Sequence, residues 1–192
     1  MNNQVCTTVV PIVTLTEYWL GELDAASESE VEEHLFGCAH CTGRLRSIVQ
    51  LAEGIRRATR EGHLQAVLSA SFVRKLQDDG LRVREYRLQP GGSVACTIAP
   101  EDDLVVAHLH APLQNVRRLD LVLDDLTAGT QVRVPDVVFD ARAGEIVLAS
   151  NVIALRRLTS STHRVQLVSV EDAGERAIAT YTFNHSRYET RN

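Results

Sequence analysis

Cys6, His34, Cys38 and Cys41 have the residue types and the spacing to hold a metal ion. His34-x-x-x-Cys38 places an imidazole and a thiol four residues apart, which is one face of a helix. Cys41 follows three residues later, where a helix ending near Gly37 must turn. Three such N/S donors can converge on a tetrahedral zinc ion at about 2.0–2.3 Å. A closed structural site needs a fourth donor. Cys6 is the best candidate, a soft thiolate that folding of the first helix can bring in. His40 is the rival, but it lies inside the Cys-x-x-Cys loop, where its ring is expected to point outward. Such a site would tie together short helices that have little core of their own.

The elements that must position these residues are legible around them. Leu15–Leu23 reads as a short helix carrying Tyr18, Trp19 and Leu23. Ser27-x-x-Glu30 has the form of a capping box. Behind it Val31, His34, Leu35 and Cys38 fall at i, i+3, i+4 and i+7, one helical stripe. A third helix is expected from about Cys41, with Leu45, Ile48 or Val49, Ala52 and Ile55 inward and room to continue toward Leu68. Ser69 or Ser71 can cap a fourth helix that ends at Gly80, with Phe72, Val73 and Leu76 facing in.

Beyond Gly80 the pattern becomes alternating and rich in Val, Ile and Thr. Strands are expected over 81–88, 93–99, 104–113, 118–123, 131–139, 145–158, 163–170 and 177–183, separated by turn signals such as Pro90-Gly91-Gly92 and Ala143-Gly144. This spacing points to an antiparallel all-β sandwich or jelly-roll-like domain. The expected class is therefore α+β: a zinc-binding helical domain over 1–65, a helical connector over 66–80, and a β-sandwich domain over 81–192.

The stretch from Tyr18-Trp19-Leu20-Gly21-Glu22-Leu23 to His34-Leu35-Phe36-Gly37-Cys38-Ala39-His40-Cys41 resembles the zinc-binding anti-sigma-factor family. In that family a short helix ending in Gly-Glu-Leu precedes an acidic helix bearing His-Leu-x-x-Cys-x-x-Cys. The resemblance covers roughly residues 10–60, about a quarter of the chain. It implies a fourth ligand upstream, similar to Cys6. It further implies that the helices wedge against an extracytoplasmic-function-type sigma factor, with Trp19, Leu20, Leu23, Ile48 and Ile55 as contact or core residues, and that transcription is inhibited. Family members often carry a C-terminal sensor module, a role that residues 81–192 would fit.

Charge and composition narrow the alternatives. The net charge of −5 is concentrated: residues 1–45 hold seven acids against the single base Arg44, and the remainder holds 18 acids and 19 bases. An acidic segment is a poor partner for nucleic acid and a better one for a basic protein. Apolar residues make up 44% and charged residues 23%, ordinary for a globular chain and unlike a disordered one. Four cysteines are too few for a disulfide scaffold. The opening Met-Asn-Asn-Gln-Val-Cys lacks the basic start of a signal peptide. Runs such as Val9-Val10-Pro11-Ile12-Val13 fall far short of the roughly 20 residues that cross a bilayer. A cytoplasmic location without membrane contact is expected.

Cys38-Ala39-His40-Cys41 also has the look of a thiol oxidoreductase motif, but that chemistry wants a preceding strand in a βαβ unit, and here an acidic helix precedes it. No phosphate loop, Gly-x-Gly-x-x-Gly or Ser/His/Asp order has a supporting context, so catalysis is not expected. His108 and His110, two apart on a strand, face one side and could share a metal, although no Glu follows at cupin-like spacing. Cys96 reads as a small core residue, and Asp102-Asp103 and Asp124-Asp125 as turn residues. The alternative to an anti-sigma factor is a metal- or ligand-binding β-sandwich whose zinc-stabilised domain docks on a different partner.

Overall fold

The computed structural model describes residues 6, 8–62 and 64–186. The chain divides into two compact units, Met1–Arg57 and Ala58–Asn192.

The first unit is helical: α1 (Ile12–Leu20), α2 (Ala25–Gly37) and α3 (Ala39–Arg60), the last of which runs across the division. α1 stops at Gly21, whose φ of 72° is the left-handed conformation that glycine adopts without strain. There Gly21 N–H reaches the Tyr18 carbonyl and Glu22 N–H the Glu17 carbonyl, closing the helix end. α2 is capped by Asp24, whose carboxylate accepts from the N–H groups of Ala26 and Ser27 at 3.0 and 2.9 Å. The expected Ser27/Glu30 box is therefore displaced. Ser27 lies inside the helix and its hydroxyl donates to Asp24. The carboxylate one turn upstream is the stronger acceptor and sets the start. Very few apolar side chains are buried here, chiefly Leu15, Val31 and Ala52.

The second unit is a β-sandwich. One sheet has the order β1-β7-β4-β2 (Ala66–Leu68, Glu145–Ser150, Leu104–His110, Val83–Leu88). The other has the order β3-β9-β8-β5-β6 (Ser93–Cys96, Gly174–His185, Ser161–Glu171, Leu119–Asp125, Thr130–Val134). Pairing is mostly antiparallel, but β2 runs parallel to β4 and β3 parallel to β9. Successive residues of a strand face opposite sides. Ala107 and Leu109 of β4, Leu119 and Leu121 of β5, Val165 and Leu167 of β8, and Ala179 and Tyr181 of β9 accordingly meet in one buried cluster. The opposite rows of β5 carry Asp120 and Asp124, each met by an arginine, Arg133 at 2.8 Å and Arg164 at 2.9 Å.

Residues 66–80 are not a connector. β1 pairs with β7, and α4 (Ala70–Asp78) buries Phe72, Val73 and Leu76 after Ser69 caps it, the inward set expected from the sequence. α3 stops at Arg60 and does not reach Leu68. The strand expected over 145–158 ends at Ser150, and α5 (Val152–Arg157) follows. Asn151 Oδ1 accepts the Ala154 N–H at 2.9 Å, a helix cap that ends the ladder. Arg156 then ties the helix to the carbonyls of Ala99, Pro100 and Asp102.

Candidate metal centre

The junction between α2 and α3 builds the site. α2 delivers His34 from its last turn. Cys38 is the single residue between the helices, with extended backbone at φ −121° and ψ 97°. Cys41 sits in the first turn of α3 and is fully buried. Thr42 locks the corner, its hydroxyl donating to the carbonyls of Leu35 and Cys38, both at 2.9 Å, while its N–H also reaches Cys38 O. Arg44 of α3 donates to the Val10 carbonyl and so draws the N-terminal segment over the same corner. That segment brings in Cys6.

The ligand atoms of Cys6, His34, Cys38 and Cys41 all lie within 4.8 Å of one another. Cys6 Sγ stands 3.8 Å from His34 Nε2 and 3.8 Å from Cys41 Sγ. A tetrahedron with zinc–sulfur bonds of about 2.3 Å and a zinc–nitrogen bond of about 2.0 Å has edges of roughly 3.5–3.8 Å. The cluster fits a zinc site. His40 is exposed and stands outside it.

The electrostatics of the four side chains point the same way. The backbone N–H of Cys41, with contributions from Cys6 and His34, pulls the Cys38 thiol down to about 6. An amide at a helix N-terminus favours a thiolate in this way. Cys6 is pushed the other way, up to about 11, first by its hydrogen bond with Cys38 and then by burial and Cys41. Three sulfurs this close cannot all be thiolates without a cation, because each added negative charge opposes the next. A divalent ion removes that conflict and displaces the protons.

Residues 14–42 match the family described as "Putative zinc-finger". It is the domain found in anti-sigma factors. The matched segment holds His34, Cys38 and Cys41, and Cys6 lies upstream of it. No curated protein matches the chain. Two solved structures bear a loose likeness to it. The N-terminal domain of phage TP901-1 ORF48 shares 11% identity at a TM-score of 0.33, over 56% of this chain and 100% of that one. CopC from Methylosinus trichosporium OB3b shares 14% identity at a TM-score of 0.31, over 67% of this chain and 100% of that one.

The remaining sequence candidates fall elsewhere. His108 is buried on β4, with Nδ1 3.0 Å from Glu145 Oε1 and Nε2 3.4 Å from Glu85 Oε2, the latter without hydrogen-bond alignment. His110 Nε2 lies 3.7 Å from the other oxygen of Glu145. Carboxylates thus reach this pair from the neighbouring strands β7 and β2, which sequence spacing within β4 could not reveal. Among the described residues these groups do not converge as Cys6, His34, Cys38 and Cys41 do. Asp102 and Asp125 accept backbone N–H groups at turns, as their sequence context implied, whereas Asp103 accepts the distant Arg82 N–H and Asp124 is a β5 residue held by Gln131 and Arg164. Cys96 is only partly buried, and it lines a cavity.

Proposed function

We propose that this protein is an anti-sigma factor that holds an extracytoplasmic-function-type sigma factor in an inactive complex in the cytoplasm and acts by binding, not by catalysis. The observation that carries the reading is the cysteine–histidine cluster at the α2–α3 corner, inside and just upstream of a segment matching the domain found in anti-sigma factors. Zinc, held by Cys6, His34, Cys38 and Cys41, would supply the cross-link that keeps the three helices in a shape fit to wedge against the sigma factor. Two further features support the reading. Residues 1–45 carry the chain's excess negative charge, which complements a basic DNA-binding partner. The helical unit leaves large apolar side chains in solvent: Phe36 is 92% exposed, Leu51 67% and Val13 62%. Trp19, Leu20, Leu23, Ile48 and Ile55, the contact candidates from sequence, are only partly exposed, so Phe36, Leu51 and Val13 are the better anchors. Among the described residues no helix is long and apolar enough to cross a membrane.

Co-expression of the tagged full chain with each sigma factor of its source organism tests the reading. One sigma factor is expected to co-purify at a 1:1 ratio, and Phe36→Ala with Leu51→Ala should weaken the complex at least tenfold. Recovery of no sigma factor, or of a different basic protein in its place, would favour a zinc-stabilised docking domain for another partner.

A further inference from the structure

The sandwich of the second unit is not filled to one end. Past the cluster of Leu109, Leu121, Leu167 and Tyr181, the two sheets and α5 border a half-open cavity of about 290 Å³. Protein interiors rarely leave voids larger than a water molecule. An apolar void of about 150 Å³ is enough to admit benzene, so this one has room for a molecule of about 10–15 non-hydrogen atoms. Val105, Ala107 and Leu148 line one wall and Leu123, Val165 and Phe183 the other. The exposed Thr130 and Val132 of β6 and Ala154 of α5 mark the mouth.

Polar groups converge at one end. On β9 the inward row runs Ala179, Tyr181, Phe183, His185; on β8 it runs Leu167, Val165, His163, Ser161. β8 turns from apolar to hydrogen-bonding residues at His163, opposite Phe183, and β9 does so at the next inward pair, His185 opposite Ser161. His185 is 4% exposed yet borders the cavity, and its nearest side-chain partner is the Cys96 thiol at a slack 4.0 Å. Burial pushes the His185 imidazole down and the Cys96 thiol up, so both stand uncharged at neutral pH. Ser161 Oγ is 2.8 Å from His163 Nε2. The acids are already engaged: Asp125 accepts the N–H groups of Thr127 and Ala128, and Asp124 is held by Gln131 and Arg164. Among the described residues no lysine or arginine lines the cavity. Among these described residues an anionic guest would find carboxylates nearby and no lysine or arginine to pair with.

We propose that this cavity is a binding site for an uncharged, largely apolar small molecule with one hydrogen-bonding group, which lies between the two sheets with that group toward His185. The site belongs to the second unit alone and does not depend on the anti-sigma reading.

The test uses the full-length, zinc-replete protein and four probes of similar size: p-cresol, toluene, benzoate and benzylamine. Heteronuclear NMR titration should show saturable 1:1 binding of p-cresol, with shifts at Val105, Val165, Phe183 and His185. Toluene should bind about tenfold more weakly, the worth of one hydrogen bond, and both charged probes weaker still. Ala107→Leu, which fills the cavity, should abolish binding. Ala154→Phe at the exposed mouth should weaken it at least tenfold with the fold intact, and serves if the Ala107 variant does not fold. His185→Leu should remove the preference for p-cresol over toluene. The proposal is overturned if p-cresol fails to bind at millimolar concentration, if benzoate or benzylamine binds as tightly, or if binding survives in a folded cavity-filling or mouth-closing variant.

Discussion

The two units of this chain hold themselves together by different means. The sandwich buries fourteen residues in one cluster, nearly all apolar and drawn from both sheets. The helical unit has Leu15, Val31 and Ala52, a buried cysteine, and little else. Helices of nine and thirteen residues are marginal in water by themselves. The sandwich draws its stability from burial of side chains that only folding brings together. On the proposed zinc site the helices would draw theirs from a point cross-link, and their folding would depend on reduced cysteines and a bound cation. On that reading one chain joins a unit that would stand without metal to a unit whose shape would be linked to it.

Removing the metal should break the comparison open most widely. Structural zinc sites contribute about 10–16 kcal/mol to folding at neutral pH, more than a core this small can replace. Chelation of the zinc-loaded protein, or His34→Ala or Cys38→Ser, should abolish the helical signal of the first unit in circular dichroism, while the β signal and the thermal transition of the sandwich remain. Simultaneous loss of both signals would mean that the units do not fold separately.

The converse perturbation comes next in size. Leu121 is fully buried in the sandwich. Leu121→Ala should cost about 2–5 kcal/mol, the lost transfer energy plus that of the residual cavity. Denaturant unfolding should register the loss in the sandwich transition, and zinc content should stay unchanged.

A smaller effect concerns acid. The Asp136 N–H, followed by Arg133 and Arg118, holds the Asp120 carboxyl below the usual carboxylate range against the opposing effect of burial. A lowered native pKa means that the unfolded chain takes up the proton first. The stabilisation is therefore complete above the unfolded value of about 4 and is lost as pH falls through the native value. The sandwich should lose melting temperature below about pH 4, and Asp120→Asn, already less stable at pH 7, should lose less of it over the same interval. Equal slopes would show that Asp120 carries none of the acid sensitivity. Smallest of all, Asp24→Ala should reduce α2 helicity slightly, whereas Ser27→Ala should not, a distinction visible by amide hydrogen exchange in the zinc-loaded protein.

The same contrast explains what the sequence revealed. Ligands on one helix and its following turn are a local pattern, so His34, Cys38 and Cys41 could be read from spacing alone. Cys6 is 28 residues from His34, and only its chemistry suggested it. The inward faces of α4 and most strands followed from period and capping. α5 did not, because Val152, Ile153, Leu155 and Leu158 continue the apolar run of β7, and only the Asn151 cap marks the change. The Ser27/Glu30 pattern misled because it ignored a better acceptor three residues upstream. The parallel pairs β2–β4 and β3–β9, the approach of Glu85 and Glu145 to His108, and the cavity beside His185 all depend on which strands become neighbours. That is a property of tertiary pairing, for which no single segment carries a signal.

Zinc-edge X-ray absorption on the reduced, purified protein tests the central claim most directly. About one zinc per chain with three sulfur neighbours at about 2.3 Å and one nitrogen at about 2.0 Å is the expected result, with one sulfur lost and replaced by a lighter atom in Cys6→Ser. Well under half an equivalent of zinc, or a first shell with two sulfurs in the unaltered protein, would contradict it.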